Sequence, residues 1–243
     1  MVYEIANQPG ELELYIRLVW LFVVIISLLM LCLCYLFLAM RRALRQEHMS
    51  FAFSHLVIEG METERRRIAG ELHDGVLPLV KDNAVAAQIR SICTELMPPD
   101  FSRFSLTDSL KELCQQFTLR TGIVYNCFIE EGLVFSGMSA VNQLHLFRII
   151  QESFTNIEKH SQSSQASLII RRMQGSPENI LICVSDDGKG MPDMTHGGAS
   201  LGMTTMRQRA AILGAKLDFI SESGNGLMVR VELPPPQRNI CRQ

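Results

Sequence analysis

His73 and Asp74 stand side by side in the stretch Glu64-Arg65-Arg66-Arg67-Ile68-Ala69-Gly70-Glu71-Leu72-His73-Asp74-Gly75. A carboxylate next to an imidazole can orient the ring through one nitrogen and take up its proton, which leaves the other nitrogen free as a nucleophile. A second set of residues is spread over three later segments. Asn156, Lys159 and His160 end the run Gln151 to His160; Asp186, Gly188 and Gly190 lie in Ser185-Asp186-Asp187-Gly188-Lys189-Gly190; Gly202 and Met203 open a helical segment. Each is weak alone, because an exposed helical His is ordinarily filler and Asp-Gly-x-Gly is ordinarily a turn. Together they are an amide and an ammonium one helical turn apart, a strand-end carboxylate, glycines that admit close backbone approach, and a helix N-terminus. Those are the parts needed to hold a magnesium nucleotide.

Positioning them requires particular elements. Phe51, Ile58, Leu72 and Leu79 at one seam position, with Met61 and Ile68 at the other, predict a helix that carries His73 on its water-facing flank. Lys81-Asp82-Asn83 reads as a turn, and Val85, Ile89, Ile92 and Leu96 form a second apolar stripe that stops before Pro98-Pro99. Such a hairpin buries too little alone, so the stripes are expected to meet a second copy in a dimeric four-helix bundle. Arg65 to Arg67 read as a solvated face with Glu64 and Glu71 as partners. Beyond the prolines the pattern predicts a helix from Leu106 to Arg120 capped by Ser105, a strand from Ile123 to Ile129 and a helix from about Ser139 to His160. Strands then follow at Ala166 to Met173, Ile180 to Ser185, Lys216 to Ser221 and Leu227 to Leu233, with a helix Gly202 to Leu213 among them. That order is α+β.

Leu18 to Met40 is uncharged throughout, and as a helix it spans about 34 Å against roughly 30 Å of hydrocarbon. The acidic start and the Leu-Ala-Met end fit a retained anchor rather than a signal peptide. Arg41, Arg42 and Arg45 follow the span and only Arg17 precedes it, so residues 1–17 are expected outside and the rest in the cytoplasm. Seventeen residues are too few for an outside sensor domain. The 243 residues carry a net charge of −2 with 20% charged and 47% hydrophobic residues, which excludes a disordered chain and a strongly basic nucleic-acid binder. Seven cysteines without a Cys-x-x-Cys pair indicate neither a zinc site nor a disulfide framework.

Over residues 60 to 233 the chain resembles bacterial sensor histidine kinases of the Glu-Leu-His-Asp phosphoacceptor group with a GHKL (Bergerat) ATP-binding domain. The resemblance rests on Glu64-Arg65-x-Arg67-Ile68-Ala69-x-Glu71-Leu72-His73-Asp74 and Asn156-x-x-Lys159-His160. It rests equally on Asp186-Asp187-Gly188-x-Gly190 and Gly202-x-x-x-Met206-Arg207-x-Arg209-Ala210. It implies one transmembrane helix (18–40) after a short outer segment, then a linker and hairpin for dimerisation and phosphoacceptance (41–100). A Bergerat-type sandwich (101–236), with a mixed sheet and helices on one face, would precede a tail (237–243). By the same resemblance His73 is phosphorylated with Asp74 as its base, Asn156 is the Mg²⁺ ligand, Lys159 meets the phosphates of ATP and His160 lies beside the nucleotide. Asp186 accepts from the adenine amino group, Gly188 and Gly190 admit the base, and Gly202 and Met203 begin the helix nearest the phosphates. The implied partners are a second copy, a response-regulator receiver domain and a membrane protein supplying the signal, with no nucleic acid. The implied location is the inner membrane.

Four departures from the family pattern sharpen these expectations. Only 23 residues separate His73 from Met97, so the hairpin arms are short and a weak cytoplasmic dimer is expected. Pro78 stands where related kinases carry a Gln of phosphatase type, Leu227 where the family prefers Thr, and Ser200 where some members begin the second glycine box. The short hairpin motivates a rival reading as an ATP-binding subunit that pairs with another kinase; a GHKL kinase acting on protein serine is a third.

Overall fold

The computed structural model describes residues 9–133, 135, 137–191, 200–221 and 226–235, with side chains from residue 13 to 42 and from 54 onward within those ranges. The expected tail, the seam residue Phe51 and the segments 192–199 and 222–225 lie outside what is described. The chain divides into two compact units, Met1–Phe53 and Ser54–Gln243.

Helix α1 runs Pro9–Glu71. Within it Glu13–Arg42 is long and apolar enough to cross a membrane, with a mean hydropathy of 3.0, and none of its side chains is buried by protein.

In the second unit, α1 leaves α-helical geometry at Glu71. A π turn, Leu72–Val76, is followed by a 3-10 turn, Leu77–Leu79, with Pro78 in its first turn. Proline has no N–H to give to an i−4 carbonyl, so an uninterrupted α-helix could not pass through position 78. Helix α2, Asn83–Leu96, returns after a turn in which Asp82 accepts from the N–H groups of Ala84 (2.7 Å) and Val85 (3.2 Å). Ala69 and Cys93 are buried where the arms meet, with the Cys93 thiol 3.6 Å from the Ala69 carbonyl oxygen.

The rest is a five-stranded mixed sheet covered on one face by three helices. Helix α3 (Leu106–Thr121) precedes β1 (Val124–Ile129), and α4 (Ala140–Asn156) leads through a π turn, Ile157–Ser161, to β2 (Gln165–Met173) and β3 (Ser176–Asp186). Helix α5 (Leu201–Ile212) is followed by β4 (Lys216–Ser221) and β5 (Leu227–Leu233). The order across the sheet is β1-β2-β3-β5-β4; β1 and β2 are parallel and every other pair is antiparallel. Strand alternation sends Ala166, Leu168, Ile170, Ile182, Val184, Val229, Val231 and Leu233 to one face, where they meet Leu110 and Phe117 of α3, Ile149, Ile150 and Phe154 of α4, and Met206 of α5. Ser105 caps α3 by accepting from the Asp108 N–H, as its position ahead of an apolar run predicts, and Ser139, expected as the first helical residue, instead caps α4 by accepting from the Asn142 N–H.

Helix α4 is buried on nearly all sides because it lies between the sheet and α1. Its second face is polar: His145, Arg148 and Gln151 are buried there. Arg148 donates to Glu62 of α1 (2.9 Å), to Gln151 (2.6 Å), and to the carbonyls of Glu95 (3.1 Å) and Leu96 (2.8 Å) at the end of α2. Arg209 of α5 donates to the other oxygen of Glu62 at 2.6 Å and contacts His145 Nδ1 at 3.2 Å. One carboxylate thus joins α1 to two helices of the sheet domain.

The apolar stripes divide differently from the expected seam. Ile58 is fully buried within the chain, Met61, Ile68 and Leu72 are half-buried, and Leu79 remains 79% exposed. On α2 the buried positions are Ala86 and Cys93, while Val85 and Ile92 stay exposed. A stripe records that a face must be covered, not which surface covers it.

Candidate functional site

His73 sits in the π turn with its Nδ1 2.8 Å from Asp74 Oδ1. The two side chains are 60% and 84% exposed. The ring is therefore oriented through Nδ1, and Nε2 points free of any protein partner, as the side-by-side spacing predicts. Arg67 forks onto Glu64 (2.6 Å) and Glu71 (2.5 Å) on the exposed helix face, the arrangement expected for the basic run.

A cavity of about 300 Å³ opens in the sheet domain between the end of α4, the end of β3 and the start of α5. Asn156, His160, Asp186, Gly190 and Met203 line it, joined by Lys189, Phe219 and Leu227. Five of the residues singled out from three separate segments thus meet at one place. Lys159 does not line it and is exposed. The cause is the π turn at Ile157–Ser161: its wider winding keeps the residue four on from Asn156 near the same side and swings the third away.

The two neighbouring carboxylates have separate tasks. Asp187 accepts from the N–H groups of Ser164 and Gln165, both at 2.9 Å, and from the Ser164 hydroxyl at 2.6 Å, so it fastens the start of β2. Asp186 faces the cavity, and its Oδ1 accepts from the Gly188 N–H at 2.8 Å. Burial pushes the Asp186 carboxyl above its ordinary value, with Asp187 adding to the rise and the Gly188 and Leu227 N–H groups opposing it.

Glycine is required where backbones meet. A Cβ on Gly188 would lie 2.3 Å from the Ser161 carbonyl oxygen, so Gly188 packs beneath the cavity rather than lining it. At Gly202 the nearest atom to an added Cβ is instead the side-chain end of Glu152, which can move aside; Gly202 lines a smaller pocket with Arg65, Arg148 and Arg209. Ser200, one of the departures, caps α5 by accepting from the Met203 N–H at 3.3 Å. Lys189 and Phe219 were not legible as site residues. Lys189 is the variable position of Asp-Gly-x-Gly, and Phe219 is brought in only by the pairing of β4 with β5.

Residues 141–237 match the profile of the family described as histidine kinase-, DNA gyrase B-, and HSP90-like ATPase. Residues 141–237 thus carry a domain of the GHKL ATPase type, and over about 70% of its length the chain is similar to bacterial sensor histidine kinases. It is 26% identical over 201 residues to sensor histidine kinase LiaS of Bacillus subtilis, covering 70% of this chain and 54% of the relative. It is 29% identical over 210 residues to sensor histidine kinase MctS of Rhizobium johnstonii, covering 72% and 44%. The chain thus spans about half the length of these relatives. Among solved structures, the histidine kinase domain of the Erythrobacter litoralis EL346 blue-light activated kinase aligns with a TM-score of 0.48 and 20% identity, over 72% of this chain and 97% of that one.

Proposed function

We propose that this chain is a membrane-bound two-component kinase that phosphorylates His73 from Mg-ATP and passes the phosphoryl group to an aspartate of a response regulator. The observation that carries the reading is His73 itself, an exposed imidazole fixed at Nδ1 by Asp74 and free at Nε2. Nε2 attacks the γ-phosphorus, the bond to the β-phosphate oxygen breaks, ADP leaves, and Asp74 takes the ring proton. The adenine amino group donates to Asp186, and Asn156 and His160 face the nucleotide from the end of α4. Lys159 reaches the phosphates only by turning from its present exposed position. Among the described residues no group of three or more His, Cys, Asp or Glu could hold a metal. The Asn156 amide at the cavity would be the protein ligand of Mg²⁺, which would supply charge neutralisation at the phosphates.

Incubating the chain with γ-labelled ATP tests the reading. Label lost in acid and absent from His73→Gln is expected. Absence of label would favour an ATP-binding subunit that pairs with another kinase, and acid-stable label would favour a serine kinase.

The helix segment Glu13–Arg42 and the arginines at its end support a single-pass inner-membrane protein with its catalytic part in the cytoplasm. Reporter fusions at the C-terminus are expected to read as cytoplasmic, and an outside signal would overturn the topology. Exposed Val85, Ile92 and Leu79 support pairing of the short hairpin with a second copy. The bound regulator and a membrane partner that supplies the signal complete the proposed assembly.

A further inference from the structure

Helix α3 and strand β1 are joined at Gly122, whose φ of +72° reverses the chain within two residues. The strand returns beside the helix, and residues pair across the turn: the rings of Phe117 and Tyr125 lie 6.0 Å apart. One step farther from the turn stand Cys114 and Cys127. Cys114 is one helical turn before Phe117 on the buried face, and Cys127 is two residues beyond Tyr125 on the same side of β1. The packing of α3 on β1 therefore sets the two thiols side by side.

Their access differs. Cys114 is buried, whereas Cys127 is exposed because β1 is an edge strand. The adjoining Cys114 thiol, with the Lys111 ammonium, holds the Cys127 thiol down to about 7 against the opposing effect of burial. The neighbouring Cys127 and burial push Cys114 up. The other described cysteines lack this setting: Cys93 is buried against the Ala69 carbonyl, burial raises the Cys183 thiol, and Cys32 and Cys34 lie in the apolar segment.

We propose that Cys127 and Cys114 form a peroxide-reactive thiol pair on the edge of the sheet. The Cys127 thiolate attacks hydrogen peroxide; the O–O bond breaks, the sulfur keeps one oxygen as sulfenic acid, and the other leaves as water after protonation. The Cys114 sulfur then displaces the hydroxyl, the S–S bond forms, and a second water leaves. Two thiols are oxidised and one peroxide is reduced to two waters. The bond ties α3 to β1 beneath the aromatic cluster of Phe117, Tyr125 and Phe154.

The test treats the detergent-solubilised full chain with hydrogen peroxide, blocks free thiols, and digests with trypsin without reductant. Peptides 112–120 and 121–148 are expected joined, about 2 Da lighter than their sum, and separated again by dithiothreitol. Before oxidation, iodoacetamide at neutral pH should modify Cys127 about tenfold faster than Cys183. In Cys114→Ser, Cys127 should proceed to sulfinic acid instead. Separate peptides from the oxidised natural chain, with Cys127 unmodified or already sulfinic, would overturn the proposal, and this reading needs no variant to fold.

Discussion

Glu62→Ala is expected to weaken the attachment of α1 to the sheet domain by about 3–5 kcal/mol, the usual cost of removing one partner from a buried ion pair. Arg148 and Arg209 are each only about 3% exposed, so both guanidinium groups would keep their burial and lose their anion. The loss is unequal. Arg148 retains Gln151 and the carbonyls of Glu95 and Leu96, whereas Arg209 retains His145 alone. Burial, then the Arg209 charge, hold the His145 imidazole down to about 4, so it stays neutral and replaces no charge. Arg209→Met added to Glu62→Ala should therefore recover part of the stability, with a coupling of about 1–3 kcal/mol. Thermal unfolding together with hydrogen exchange in α1 around Glu62 reads the effect; an unchanged melting temperature and unchanged protection there would refute it. The sign with pH is defined as well. Burial alone would raise the Glu62 carboxyl, but Arg148 and Arg209 outweigh it and hold it below its ordinary value. The contribution is complete above the unfolded value of 4.5 and is lost as the pH falls through the lowered folded one.

Asp186→Asn is expected to reduce ATP affinity about 100-fold while leaving unfolding without nucleotide nearly unchanged. The asparagine oxygen can still accept from the Gly188 N–H, so the turn survives. Its amide nitrogen then occupies the place of the second carboxylate oxygen, which in the proposed function accepts from the adenine amino group, and sets donor against donor. Calorimetric titration with ATP and a melting curve separate the two effects. Equal affinity, or a loss of stability as large as the loss of binding, would mean that Asp186 serves the fold alone.

These two sites differ in how far the sequence reveals them. Asp186, Gly188 and Gly190 are legible because strand alternation ends where glycines begin, and the same local logic identifies the cap Ser105 and the turn at Asp82. Glu62 is not. Its partners lie 86 and 147 residues away, and a Glu within a charged helix looks like any solvated residue until tertiary packing buries it. Lys159 and His160 show a subtler limit. Their relation to Asn156 depends on whether the last turn is α or π, which the apolar pattern of α4 does not distinguish. The seam residues fall between these cases: their apolar period is legible, yet Ile58 finds its cover inside the chain and Leu79 stays exposed.

Arg148 lies eight residues before Asn156 on α4, and Arg209 lies six residues after Met203 on α5, so the helices that hold Glu62 at one end border the cavity at the other. A ligand that changes their spacing at the cavity also changes the geometry of the arginine pair that grips α1. Thermodynamic linkage makes this reciprocal: whatever factor bound nucleotide applies to the hold on Glu62, release of Glu62 applies to nucleotide affinity. A shift at α1 is then measurable as a changed dissociation constant, without any contact between α1 and the ligand.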